Sequence, residues 1–165
     1  MRLITEADVA AQLNPDNARA ALHAAFAQHG RGQAQVLGRH RATTSLDGAS
    51  LAISAMGAIL AADATAEGEL PAVLGTKVYS ARNGRYHFLV SLFDAATGAP
   101  LATLEANEFT RLRTAAATAV AAELLAPAEA RTLALFGAGI QARAHAEALV
   151  RVRRFERLLV CARSG

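Results

Sequence analysis

The stretch Thr132-Leu133-Ala134-Leu135-Phe136-Gly137-Ala138-Gly139-Ile140-Gln141-Ala142 decides the fold. A short apolar run, of the kind a buried strand presents, ends in a Gly-x-Gly-x-x-Ala turn and passes into a helical pattern. A second apolar run, Leu158-Leu159-Val160-Cys161, follows. The order is strand, glycine turn, helix, strand. Each small residue answers a steric need. Gly137 permits the sharp turn, Gly139 lets backbone amides approach a pyrophosphate, and Ala142 keeps helix and strand close. The unpaired amides and positive dipole end of the helix then face the anion. Ile140, Ala144, Ala148, Leu149 and Val152 recur on one stripe, which predicts the packed face of that helix.

These features read as a nicotinamide dinucleotide site, with Gly137, Gly139, Ile140 and Gln141 at the phosphates. About twenty residues past the motif, where a carboxylate would take the ribose 2′-hydroxyl, stand Ala162-Arg163-Ser164. Arg163 and Ser164 suit a 2′-phosphate, so NADP is preferred to NAD; a solvated arginine at the strand end is the alternative. The sequence reaches Gly165 just past that strand, and a doubly wound sheet needs several more strands to bury its core. The expectation is the front part of a longer enzyme.

The chain has 165 residues, 53% of them hydrophobic, and a formal net charge of +3. That suits a domain or a domain and part of another, and is too mild a charge for a nucleic-acid partner. Arg151, Arg153, Arg154 and Arg157 form the one basic cluster, read as a solvated face at the end of the motif helix. The single cysteine, Cys161, predicts a buried inert thiol, with no disulfide framework and no metal cluster. No apolar window is long enough to span a membrane, and the start turns acidic too early for a signal peptide, so a cytoplasmic enzyme is expected.

Ahead of the glycine turn the pattern is different. Thr5-Glu6-Ala7-Asp8 has the form of a capping box, starting a short helix that ends near Asn14-Pro15. A second helix runs from about Asp16 to His29, with Leu22, Ala25, Phe26 and His29 on one stripe and Gly30 as its stop. His23 and His29 read as solvated or core-edge groups. Residues 33–104 then alternate with period two, broken at Asp47-Gly48, at Asp63 to Glu69, at Arg82-Asn83-Gly84 and at Asp94 to Gly98. Antiparallel strands after two helices predict an α+β domain. Asn107 caps a long helix that stops at Pro127, with Phe109, Leu112, Ala116, Ala117, Val120 and Leu124 as its apolar stripe.

Two cations stand out. Arg113 falls inside that stripe, where a guanidinium needs a partner: either an internal carboxylate such as Glu105 or the carboxylate of a bound substrate. Lys77, the only lysine, shares a strand face with Gly75 and Tyr79. It either snorkels to water or is a buried carboxylate ligand and proton carrier.

Four blocks in order, Gly75-Thr76-Lys77-Val78, Leu92-Phe93-Asp94 to Thr97-Gly98, Leu112-Arg113-Thr114-Ala115-Ala116-Ala117-Thr118-Ala119 and Gly137 to Ala142, resemble the ornithine cyclodeaminase and μ-crystallin family. The resemblance implies a substrate-binding and dimerisation domain over residues 1–126 and a truncated NAD(P)-binding Rossmann domain over 127–165, in a protein that is often a homodimer. It implies a small amino or imino acid held by two arginines and a lysine, matched here by Arg41, Arg113 and Lys77, with Lys77 also catalytic. Arg41 is the weaker match because Arg39 stands close by. Thr114 joins the cofactor residues on the same basis. Family members commonly read Met-Pro-Ala where this chain has Met56-Gly57-Ala58. The family's catalytic aspartate comes from the second half of the nucleotide domain, beyond Gly165. The implied activity is NAD(P)-dependent conversion of ornithine to proline with loss of ammonia. Cyclic ketimine reduction, alanine oxidation and a non-catalytic cofactor-binding or dimerisation role are the alternatives.

Overall fold

A computed structural model describes residues 1–62 and 71–163. In order the elements are β1 (Arg2–Ile4), α1 (Glu6–Gln12), α2 (Pro15–Gly30), β2 (Ala34–Leu46), β3 (Ala49–Leu60), β4 (Val73–Arg82), β5 (Arg85–Asp94), β6 (Pro100–Glu105), α3 (Asn107–Leu125), β7 (Thr132–Phe136), α4 (Ile140–Leu149) and β8 (Arg157–Cys161). The chain divides into two compact units, Met1–Gln12 with Ala24–Glu108 and Leu13–His23 with Phe109–Gly165. The expected break at Asp63 to Glu69 lies outside the described residues, as does Ser164.

The first unit is built on a six-stranded sheet of order β1-β6-β5-β4-β3-β2. Strands β2 to β6 pair antiparallel, as the alternation predicts, but β1 pairs parallel with β6, so the sheet is mixed. A three-residue strand carries too little periodicity to be read. The hairpins turn where the sequence indicates: Asp47 and Gly48, then Asn83 and Gly84, hold positive φ at 49°, 75°, 48° and 77°. Such two-residue turns twist with the strands they join. The Asn83 side chain also accepts the Ser50 N–H at 3.0 Å, tying the second turn to the strand beside it.

Pleating sorts the sheet into two faces. Ser54, Lys77, Tyr79, Val90 and Ala102 are buried on one. On the other, Leu37, Ile53, Ile59, Val78 and Leu89 are apolar yet exposed. The capping box forms as read, with the Asp8 carboxylate accepting the Thr5 N–H at 2.9 Å and the Thr5 hydroxyl at 2.8 Å. Those bonds, the backbone one foremost, hold the Asp8 carboxyl below its ordinary pKa. Glu6 does something its neighbours in sequence do not announce. Its carboxylate accepts the Asn107 and Glu108 N–H groups at 2.7 and 2.9 Å, capping α3 from 101 residues away.

The second unit is helical packing around alanine. Ala115 and Ala119 of α3 meet Ala144 and Ala148 of α4, with Val152 against them. Leu112 and Ala116 meet Ala18 of α2, flanked by Leu13 and Leu22. The buried stripe of α3 is therefore Leu112, Ala115, Ala116, Ala119 and Val120. The expected Leu124 is 65% exposed. Helices that approach this closely need small residues at the contact, so alanine displaces leucine from the buried side. Phe26 is likewise exposed, and α2 buries Ala18 and Gln28 instead. His23 and His29 are exposed, as expected.

Strands β7 and β8 pair parallel on either side of α4, completing the βαβ order the glycine turn predicts. The strands are covered only in part: Phe136, Leu158, Leu159 and Val160 are exposed. Cys161 is exposed too, correcting the expectation of a buried thiol. A parallel strand is buried only when layers lie on both its faces. The basic cluster is more than a solvated face. Arg153 donates to the carbonyls of Ala122, Glu123 and Ala126 at 3.0, 2.9 and 2.8 Å, closing the C-terminus of α3, and Arg151 pairs with Asp16. Arg154 and Arg157 remain exposed. No helix is long and apolar enough to cross a membrane, and the described residues contain no His, Cys, Asp and Glu group able to hold a metal.

Candidate functional site

Strand β4 decides the environment of Lys77. Its burial alternates from Lys77 onward, with Lys77, Tyr79 and Ala81 inward. Lys77 is 8% exposed, so the snorkelling alternative fails. Its Nζ sits 4.3 Å from the Phe88 ring centroid and 5.9 Å from that of Tyr79. Cross-strand pairing puts Phe88 directly opposite Tyr79, with ring centroids 5.0 Å apart, and Tyr86 stacks on Phe88 at 5.8 Å. An ammonium over an aromatic face gains roughly 0.5–2 kcal/mol depending on how dry it is. The cluster thus supports a buried cation without neutralising it. Lys77 and Tyr79 at alternate positions signalled the shared face; the ring of Phe88 beneath the ammonium came only with the strand register.

Register also answers which arginine of Arg39 and Arg41 faces the same way. Opposite the single residue Met56, β2 places both Gly38 and Arg39, a β-bulge between Leu37 and His40. Past the bulge Arg41 pairs with Ser54, Ser54 with Tyr79, and Tyr79 with Phe88. Directly opposed residues share a face, so Arg41, Ser54, Tyr79 and Phe88 form one row and Met56 and Lys77 lie in the next. Two strand spacings separate β2 from β4, about 10 Å. The structure therefore brings Arg41 and Lys77 onto one face of one sheet. Gly57 pairs with Leu37 of β2 and with Thr76 of β4, next to the bulge.

In the second unit Arg113 is half-buried on α3. The hydroxyl of Thr114 donates to the Thr110 carbonyl at 2.6 Å, so it retains only acceptor capacity for a ligand. Gly137 adopts φ +112°, a backbone setting that side-chain-bearing residues rarely take, and its N–H donates to the Cys161 carbonyl at 2.7 Å. Gly139 precedes α4 with no side-chain cap on the helix. A Cβ built at Gly137 or Gly139 would meet nothing within 4 Å. Phe136, Gly137, Ala138, Gly139, Cys161, Ala162 and Arg163 line an open concavity of about 630 Å³ at this end of β7 and β8.

Open space above glycine, uncapped helix amides and a guanidinium at the rim are what a dinucleotide pyrophosphate and ribose require. The residues present fit that group. Ile140 differs from expectation: it is 72% exposed at the head of α4. The first turn of a helix that ends in an open cradle has no layer to pack against, so the buried stripe begins at Ala144. Gln141 is exposed in the same turn, and its carbonyl is 2.7 Å from His145 Nδ1.

Comparison with known proteins points the same way. The family model described as ornithine cyclodeaminase/mu-crystallin family matches residues 1–165. The chain is 32% identical to the iminosuccinate reductase of Paracoccus denitrificans over 96% of its own length and 49% of that protein. The structure of that reductase in complex with NAD⁺ superimposes with a TM-score of 0.84 over 99% of this chain and 50% of that one, at 30% identity. A probable ornithine cyclodeaminase from Bordetella pertussis gives 0.83 at 38% identity, over 100% of this chain and 49% of the other. The Thermococcus litoralis Δ1-pyrroline-2-carboxylate reductase, in complex with NADH and L-proline, gives 0.82 at 28% identity over 99% and 50%. The chain spans about half the length of these relatives. A match to the family model from the first residue to the last, on a fold carrying the glycine cradle and the lysine-bearing sheet, places this chain in the ornithine cyclodeaminase/mu-crystallin family.

Proposed function

We propose that this chain is the front half of an enzyme that moves hydride between a nicotinamide dinucleotide and the Cα of a small amino or imino acid. The observation that carries the reading is the pair of built features: a buried lone lysine over an aromatic cluster, and an open glycine cradle at a helix N-terminus. A nicotinamide dinucleotide, when bound, supplies the hydride chemistry. Gly139, Ile140 and Gln141 hold its pyrophosphate through backbone amides while Gly137 makes the turn that clears the approach, Thr114 accepts a hydrogen bond from a cofactor hydroxyl, and Arg163 and Ser164 serve the ribose 2′ position, which favours NADP over NAD.

Lys77, Arg41 and Arg113 hold the substrate carboxylate and so fix Cα for transfer, which for the two arginines is positioning rather than acid–base work. In the reductive direction, hydride adds to the imine carbon and a proton to its nitrogen, giving the amine; Lys77 is the residue suited to carry that proton. Similarity to a reductase over nearly the whole chain favours this direction. The equally complete match to a probable ornithine cyclodeaminase favours a second reading, in which hydride leaves Cα of ornithine, the side-chain amine closes on the imine with loss of ammonia, and hydride returns to give proline. The exposed apolar sheet face of Leu37, Ile53, Ile59, Val78 and Leu89 suits a second copy of the chain, making a homodimer. A charge of +3 with scattered arginines supports neither a nucleic-acid nor a membrane partner, and a cytoplasmic enzyme is the reading.

The test is steady-state oxidation of NADPH and NADH by the full-length enzyme with cyclic and acyclic imino acids, beside proline formation from ornithine. Lys77→Met and Arg113→Ala should each raise KM by the equivalent of about 2–5 kcal/mol, the cost of removing one partner from a desolvated charge pair. Wild-type kinetics in both variants would remove these cations from the pocket.

A further inference from the structure

The β4–β5 hairpin gathers cations on the exposed face of the sheet, the face that carries Ile53, Val78 and Leu89. Arg82 and Arg85 are directly opposed across the Asn83-Gly84 turn, and Ser80 and His87 are opposed one row further in. Alternation from Val78 and from Leu89 puts all four on that face, and all four are exposed. With Leu51, which opposes Arg82 from β3, they line an open concavity of about 620 Å³. Strand and residue spacings set their Cα atoms at the corners of a rectangle of about 5 by 7 Å. A single polyatomic group can therefore meet all four side chains.

Charge decides the chemistry of that group. Like charges directly opposed on adjacent strands repel. Among the described residues neither Arg82 nor Arg85 has a carboxylate partner, and no acid lines the concavity. Asp47 stands in the neighbouring β2–β3 turn, and Glu105, one row beyond His87, takes the Glu6 N–H. Two guanidiniums, a hydroxyl and an imidazole thus offer donors and positive charge, which suits an oxyanion of two charges, a phosphate group before a single carboxylate. The volume exceeds what bare phosphate fills and falls in the range of small organic ligands. The rest of the lining suits an organic body: Leu51 at the wall, with Ala52 and Ala81 at the floor.

We propose that this end of the β4–β5 hairpin binds a small phosphomonoester. Arg82 and Arg85 hold the phosphate between them, Ser80 and His87 donate to its remaining oxygens, and the organic body lies over Leu51. The site shares no residue with Lys77 and Arg41, which face the other side of the sheet, or with the glycine cradle of the second unit. It stands independently of the hydride-transfer reading.

The experiment is calorimetric titration of the full-length protein, in buffer free of phosphate, with glucose 6-phosphate and glycerol 3-phosphate, and with inorganic phosphate and glucose beside them. At least one ester should bind, inorganic phosphate more weakly, and glucose not at all. Arg82→Gln and Arg85→Gln should each weaken the ester about tenfold, the size expected for one charge-assisted hydrogen bond at an exposed site. Their Tm without ligand should hold or rise, because the repulsion between the pair is gone, and their Kd for NADH should equal that of the wild type. No binding of either ester, or wild-type affinity in both variants, would overturn the proposal. Inorganic phosphate binding as tightly as the esters would overturn the phosphomonoester assignment. Weaker dimerisation of the variants, with no ester bound by the wild type, would instead give the arginine pair to carboxylates of a second copy and overturn the site.

Discussion

Replacing Gly139 with alanine separates the cofactor reading from a merely structural glycine turn. The residue has φ −77° and ψ −175°, extended backbone that any residue adopts, and a Cβ there would meet no atom within 4 Å. The fold should accept alanine, and by narrowing the unfolded ensemble the change should stabilise by about 0.4–1 kcal/mol or be neutral. Binding is another matter. The methyl fills the space through which a pyrophosphate approaches the first amides of α4, and each charge-assisted hydrogen bond lost costs about 1.5–3 kcal/mol. That corresponds to roughly a tenfold to 150-fold rise in Kd. Thermal melts and fluorescence titration with NADPH and NADH on full-length G139A read the two effects separately. Wild-type affinity at an unchanged Tm would refute the cradle. Gly137→Ala is the converse control: at φ +112° it should cost about 1–3 kcal/mol in stability.

Other consequences are testable with the same protein. Ala119, fully buried where α3 meets α4, has no room for a larger side chain, so Ala119→Leu should destabilise by about 1–3 kcal/mol in urea unfolding. Arg153→Ala strips the α3 carbonyls of their donor and should cost about 1–3 kcal/mol, whereas Arg154→Ala, at an exposed position, should stay within about 0.5 kcal/mol of wild type. The Thr97 hydroxyl first, then its backbone N–H, holds the Asp94 carboxyl below its ordinary pKa of 3.8. A depressed folded pKa contributes stability that is present above the unfolded value and is lost as pH falls through the folded one. Carboxyl NMR should therefore show Asp94 titrating below 3.8, moving back up in Thr97→Val; an unmoved midpoint would remove the hydroxyl as the cause.

Local signals were legible in this sequence wherever the chemistry is local. Asp47-Gly48 and Asn83-Gly84 mark turns because positive φ selects those residues, and the turns form there. The glycine loop follows from its small residues in the same way, and α3 ends before Pro127 as that stop predicts, but Asn107 does not cap the helix as expected: its side chain accepts the Phe88 N–H. What stayed hidden depends on distant partners. Glu6 looks like part of its own capping box, yet it caps a helix 101 residues on. Arg153 looks solvated at the end of α4 and instead serves α3. Leu124, Ile140 and Cys161 look buried by periodicity but have no layer over them. At the candidate site, the cations were visible as residue types. The bulge that puts Arg41 in the Ser54 row and the ring of Phe88 beneath Lys77 required the strand register.

The most direct test follows the hydride itself. The full-length enzyme is given NADH or NADPH deuterated at the transferable C4 position, together with an imino acid, and the amino-acid product is examined by mass spectrometry and NMR. Transfer from the cofactor to a substrate held by its carboxylate predicts one deuterium, located at Cα. Amino acid formed without deuterium at Cα, or deuterium at any other carbon, would contradict it.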